Sequence, residues 1–388
     1  MSYKQFYQGF LAANPNVQHY ACHSHHYWPD VTRDAVLRYW DDSARLVDDK
    51  WEHIFGVEVP AVQQLIANEL KLKNPAQLVF AGNTHELLFR LLTAFSWSNG
   101  LKVLTTDSEF HSFSRQIARL GEESNVDVVR VATEPFATFP ERFVAAATAL
   151  QPDLVFVSQV FFNSGVALPD LTGLVNSVAD TCKATIAVDG YHGFMAIPTD
   201  LSSLEGRIFY LAGSYKYAQG GEGCCFMLVP EHNNFRPIYT GWFAEFGALS
   251  AAKTGAVQYS KDGYQFAGAT MDFTALYRLR AVLELYQHEH IKTEAVHQHV
   301  QSLQQHFLQN LDEIGHPWLN RQSWLQNPGS EHGHFLTFRG PSAEEVAKLS
   351  QFLAKHQIKT DYRGDRLRFG FAIYHDFTDI GLTVLKEA

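Results

Sequence analysis

The stretch Arg207-Ile208-Phe209-Tyr210-Leu211-Ala212-Gly213-Ser214-Tyr215-Lys216-Tyr217-Ala218-Gln219-Gly220-Gly221-Glu222-Gly223, followed by Cys224-Cys225-Phe226-Met227-Leu228-Val229, decides how the rest of the chain is read. Two apolar runs of strand length flank a lysine set between tyrosines and glycines. A lysine at the mouth of an α/β sheet can reach a ligand held at the carboxyl ends of the strands. Desolvation there eases loss of its proton, which Schiff-base chemistry requires. A solvated lysine in a loop is the competing reading, and this segment alone does not choose between them.

The same alternation runs upstream. Gln77-Leu78-Val79-Phe80 and residues 102–106, 127–131, 153–158 and 185–189 read as strands, and residues 86–92 as a helix. Continuously apolar strands separated by helical segments predict an α/β fold with a mostly parallel sheet buried on both faces. From Asp272 to about Ile314 the spacing of Leu276, Leu279, Val282, Leu283, Val300, Leu303 and Phe307 predicts one long helix. A strand at 335–338, a helix at 343–356 and a strand at 366–370 then predict a smaller α+β unit. The 388 residues exceed the ~250–300 at which one core usually stops growing. The expected division is an N-terminal segment (1–45) serving the active site and small domain, a large domain (46–265) and a small C-terminal domain (266–388).

Composition narrows the function. The formal charge of −10 leaves no basic surplus for a nucleic-acid backbone. No stretch of ~20 uncharged apolar residues is present to span a bilayer. The start, Met1-Ser2-Tyr3-Lys4-Gln5-Phe6, lacks the basic-then-apolar order of a secretory signal. Cys22, Cys182, Cys224 and Cys225 have no metal-type spacing, so reduced thiols and a cytoplasmic location are expected.

Two further segments bear on Lys216. Val188-Asp189-Gly190-Tyr191-His192-Gly193 ends an apolar strand on a carboxylate, which caps a helix or partners a buried cation. Gly82-Asn83-Thr84-His85-Glu86 follows the 77–80 strand; a strand-to-helix turn of this kind offers free N–H groups and a hydroxyl to a phosphate. Taken singly, the turn reads rather as an ordinary helix cap, for which Thr84 would serve well.

Together these segments resemble fold-type-I enzymes that use pyridoxal 5'-phosphate (PLP), in particular the class V aminotransferase family and, within it, kynureninase. The resemblance implies a PLP-dependent transferase fold with a large and a small domain, and a homodimer with shared active sites. It implies Lys216 as the Schiff-base lysine, Tyr215 as a phosphate contact, and Asp189, in an Asp-x-x-His motif with His192, as partner of the pyridinium nitrogen. Asn83, Thr84 and His85 fall at the cofactor turn, and Phe110 in Glu109-Phe110-His111-Ser112 falls where the family stacks an aromatic on the ring. Trp242 in Gly241-Trp242-Phe243 and Thr270 in Phe266-Ala267-Gly268-Ala269-Thr270 match phosphate-contacting segments, the latter reaching a neighbouring subunit. Arg368 in Arg366-Leu367-Arg368-Phe369-Gly370 matches the arginine that grips a substrate carboxylate, with Arg366 as its solvated neighbour. His23 and His26, in Tyr20-Ala21-Cys22-His23-Ser24-His25-His26, are expected to line the substrate pocket rather than bind a metal. Glu331-His332-Gly333-His334 reads as a polar loop.

The chain departs from the kynureninase pattern at Gly370-Phe371-Ala372-Ile373-Tyr374, where a proline is usual. It departs again at Val160-Phe161-Phe162-Asn163, which leaves the partner of the ring hydroxyl unassigned. The expected activity is kynureninase-like C–C cleavage of an amino-acid substrate through an external aldimine. The alternatives are amino transfer to a 2-oxo acid and a non-catalytic PLP-fold binding protein.

Overall fold

The computed structural model describes residues 2–123, 125–248, 255–326 and 331–387. Seven strands form one sheet in the order Leu78–Ala81, Cys225–Leu228, Ile208–Gly213, Thr185–Asp189, Leu154–Ser158, Leu101–Thr106, Val126–Val131. The last five pair parallel, and Cys225–Leu228 alone runs against both its neighbours. Strands 154–158, 208–213 and 225–228 are buried at every position, because helices cover both faces of a parallel sheet. Register sets Ser158 beside Asp189 and Asp189 beside Leu211, so neighbouring carboxyl ends finish level.

The helix Thr84–Leu92 starts from Asn83, whose side-chain oxygen accepts from Glu86 N at 2.9 Å. Asn83, not Thr84, is therefore the cap. Its extended backbone lets the carbonyl-bearing side chain turn back on the first turn, while Thr84 is already helical.

The long helix expected from 272 to 314 is two helices, Thr274–His288 and Thr293–Ile314. His290 between them is left-handed (φ 55°), and Ile291 N closes the first helix onto Tyr286 O at 2.8 Å. The apolar spacing continues across the break, which is why sequence periodicity passes over it. The first of these helices packs into the large apolar cluster around the main sheet.

A second apolar cluster surrounds the antiparallel sheet Asp361–Arg363, Arg366–Gly370, Phe335–Arg339 and the helix Ala343–Lys355. The N-terminal segment is stitched to it: Gln18–His19 pairs parallel with Ile358–Lys359, and Tyr20 lies in this cluster. The loop before Phe335 is not a solvated one, since His332 and His334 are both buried. Arg366 is half-buried and paired rather than freely solvated. It shares Glu134 with Arg339 at 2.7 Å each. All four cysteines are free and buried, and no helix among the described residues is long and apolar enough to cross a membrane.

Candidate active site

Four strands end at one cavity. Leu78–Ala81 delivers Gly82, Asn83 and Thr84; Leu154–Ser158 delivers Ser158; Thr185–Asp189 delivers Asp189, Tyr191 and His192; Ile208–Gly213 delivers Tyr215 and Lys216. Phe110 and Ser112, at the start of the helix His111–Leu120, close one side, and Phe162 another. The carboxyl edge of an open α/β sheet is where ligands bind, because loops diverge there and leave a crevice.

Lys216 is the centre. It is buried, its ammonium lies 5.3 Å from the Phe110 ring and 5.2 Å from the Tyr191 ring, and it bonds His192 Nε2. Burial pushes its pKa down to about 7, against the opposing charge of Asp189. Burial likewise raises the Asp189 carboxyl, offset by the Tyr191 N–H at 2.9 Å and by Lys216. His192 is held neutral, first by burial and then by the Lys216 charge; its Nδ1 is buried with no partner. Lys216 can therefore shed its proton near neutral pH.

Sequence reasoning missed Glu109 as a participant. Its carboxyl accepts from Thr106 Oγ1 (2.6 Å), Ser158 N (3.2 Å) and Ser158 Oγ (2.5 Å), and burial raises its pKa to about 7. It sits behind Asp189 and fixes the end of the strand beside it. Nothing in one sequence separates such a glutamate from a surface one. Tyr191 and Cys225 were missed too; Tyr191 could have been found, since an Asp two residues before it can accept its N–H.

The cavity brings together Asn83, Thr84, Phe110, Asp189, His192, Tyr215 and Lys216. Phe110 is 38% exposed and so is not a core phenylalanine. His85 lies outside, facing a surface groove where it bonds Gln116 at 2.7 Å. Trp242 is exposed and stacks on Phe246, and Thr270 is exposed; neither lines this cavity within one chain. Their segments touch, with Phe243 N donating to Gly268 O at 3.0 Å. His23 and His26 are buried behind the cavity wall, His23 stacked on Phe335 and His26 on the Tyr374 side. Arg368 is buried beside Phe162 O and Asp361. Asp42, His53 and Glu58 converge elsewhere, but Arg45 and Arg280 already pair with those carboxylates.

A desolvated lysine and a buried carboxylate thus share one cavity at the carboxyl edge of an α/β sheet. Residues 34–378 match the family model for aminotransferase class-V, and the chain belongs to that family of PLP-dependent, fold-type-I enzymes. PLP is the family's cofactor, and the residues present fit it. A helix start with Asn83 and Thr84 suits a phosphate, Phe110 offers a ring face, and His192 Nδ1 is a buried polar atom without a partner.

Among solved structures, the chain is similar to a cysteine desulfurase from Thermococcus onnurineus NA1 (17% identity, TM-score 0.79, covering 100% of this chain and 98% of that one). It is similar to a C-DES mutant with glycine covalently linked to the PLP cofactor (17%, TM-score 0.78, 98% and 97%) and to the cysteine desulfurase CsdA from Escherichia coli (16%, TM-score 0.73, 99% and 96%). At these identities the likeness establishes the fold. No curated protein sequence matches. Kynureninase as the nearest relative finds no support in these neighbours.

Proposed function

We propose that the chain holds PLP on Lys216 and cleaves an amino-acid substrate beyond its β-carbon. The observation that carries this reading is the pairing of a lysine at a pKa of about 7 with Asp189 in one cavity at the strand ends. Bound PLP supplies an aldehyde that condenses with amines and a ring that takes up electrons when a bond to the substrate α-carbon breaks.

The chain's own residues do the rest. Asp189 faces the cavity as a carboxylate and keeps a cationic ring nitrogen protonated. Lys216 would hold the cofactor and, as a free amine, take the substrate α-proton on Nζ, and His192, neutral and in contact, accepts a hydrogen bond from that amine. Phe110 and Tyr191 flank the amine and exclude water from it. Thr84 and the free N–H groups of its helix receive the phosphate, with Tyr215 beside them. Arg368, with His23 and His26 behind it, is the residue assigned to a substrate carboxylate.

The neighbours C-DES and CsdA are described as a cystine C–S lyase and a cysteine desulfurase, which favours cleavage at the β-substituent over amino transfer. The kynureninase-like C–C hydrolysis expected from the sequence belongs to the same broad class. Cys225, the one cysteine lining the cavity among the described residues, is not a ready nucleophile, since burial pushes its thiol up to about 12.

A homodimer is part of the proposal. Phe89, Ile238, Tyr239 and Trp242 are large exposed apolar residues, and Phe89 lies 5.4 Å from Tyr239. A second copy covering them would bring its own Trp242 and Thr270 segments toward a cavity that lacks them.

The test is product analysis of the purified, PLP-loaded protein with single amino acids, cysteine, cystine and kynurenine among them, without and with a 2-oxo acid. Cleavage without the 2-oxo acid supports the reading; turnover only in its presence makes the chain a transaminase. No turnover and no spectral response to any amino acid favours a non-catalytic binding protein.

A further inference from the structure

A guanidinium recognises a carboxylate best as a fork, two parallel N–H donors on two oxygens. Arg368 already commits part of that fork. Its Nη2 donates one N–H to Asp361 Oδ2, its Nη1 donates one to Phe162 O, and Nε is buried without a partner. The side chain is 3% exposed.

The Asp361 pairing is built into the backbone. Gly364-Asp365 turns a hairpin with Arg363 opposite Arg366, and counting back two residues places Asp361 directly opposite Arg368. The facing strand Phe335–Arg339 sets Thr337 on the other side of Arg368, so the arginine is central in the sheet. Asp361 Oδ2 also accepts from Ser24 Oγ at 2.7 Å and lies 3.5 Å from His23 Nε2. Burial pushes His23 down to about 3, so that imidazole is neutral and Arg368 is the countercharge of Asp361. Burial alone would raise the Asp361 carboxyl, yet His23 and the Arg368 charge hold it far below the usual carboxylate range.

We infer that Asp361 is a specificity-determining residue: it neutralises Arg368 as a resident carboxylate, so an α-carboxylate of a substrate must share that arginine with Asp361 or displace it. A second carboxylate brought to an already neutral pair adds an uncompensated buried charge. The site thus grips carboxylates weakly for one containing a buried arginine, and draws substrate affinity from the amine and the side chain. This inference rests on the reading of Lys216 as the cofactor lysine, and on Arg368 as the cation nearest in kind to a carboxylate receptor.

The experiment titrates PLP-loaded protein with L-alanine and with ethylamine, which is alanine without its carboxylate, and follows the visible band. The parent is expected to bind the two within about tenfold of each other, and Asp361→Asn to tighten alanine about tenfold or more while leaving ethylamine within about twofold. Alanine binding that is unchanged, weakened or undetectable in both proteins overturns the inference, a weakening marking Asp361 as a residue that merely orients Arg368. Should Asp361→Asn fail to fold, the parent decides alone: alanine bound far more than tenfold tighter than ethylamine overturns it. Absence of any cofactor band would instead sink the Lys216 reading, so the two failures are distinguishable.

Discussion

Two buried cations serve the same end of the molecule in opposite circumstances. Lys216 stands at the tip of a parallel strand, faced by an aspartate across a cavity and bonded only to a neutral histidine. Arg368 stands in the middle of an antiparallel ladder, ion-paired directly across it. Burial works against both charges, but only Lys216 answers by giving up its proton near neutrality, because guanidinium does not. The parallel sheet ends in loops that leave side chains unpaired and reactive. The ladder pairs its side chains across strands and leaves them stable and inert. Reactivity sits where pairing stops.

The comparison breaks most visibly at Lys216. Lys216→Ala should lower turnover about 10²–10⁴-fold under saturating PLP, measured on whichever amino acid proves to be cleaved. Near-parent turnover would place the reactive amine elsewhere. Asp189→Asn keeps the shape and removes the charge, and turnover should fall about 10²-fold while PLP still binds, as judged by its band. In the ladder, by contrast, a change should be felt as stability. Leu367 is fully buried one residue from Arg368, and Leu367→Ala should cost about 2–5 kcal/mol in urea unfolding, with a much smaller effect on the alanine-to-ethylamine preference than Asp361→Asn.

The smallest expected effect is a slope. Between about pH 7 and 10.5 the unfolded chain keeps the Lys216 proton while the folded chain has lost it. Unfolding then takes up a proton, so this group makes the stability of the cofactor-free protein rise with pH across that window. Below about 7 both states hold the proton and the contribution is flat. Comparing Lys216→Met with the parent by thermal unfolding at pH 7 and 9 should remove part of the rise. An equal rise in both proteins would put the Lys216 pKa in the folded chain near its ordinary value.

Much of the main sheet was legible because buried parallel strands are written as short continuous apolar runs, and all seven expected strands form. The break at His290 was not legible, since the apolar spacing resumes in phase after it. Lys216, Asp189, Asn83 and Thr84 were readable as a site from their positions at strand ends, His192, Phe110 and Tyr215 only from the family resemblance, and all seven share one cavity. Glu109 was not readable, because its Ser158 partner comes from a strand 49 residues further on, and Thr106, three residues before it, gives no sign of burial. The occupation of Arg368 was within reach. Arg363-Gly364-Asp365-Arg366 is a two-residue hairpin turn, and its register alone sets Asp361 across from Arg368. Trp242, Thr270 and His85 lie off the cavity in a single chain, and only a second copy could return the first two to it.

The central claim is that the Lys216 amine is the one that carries the coenzyme. Borohydride reduction of the PLP-loaded protein, followed by proteolysis and peptide mapping, tests it directly. A pyridoxyl adduct on the peptide containing Lys216, at close to one per chain, is the predicted result. An adduct on another lysine, or none, contradicts it.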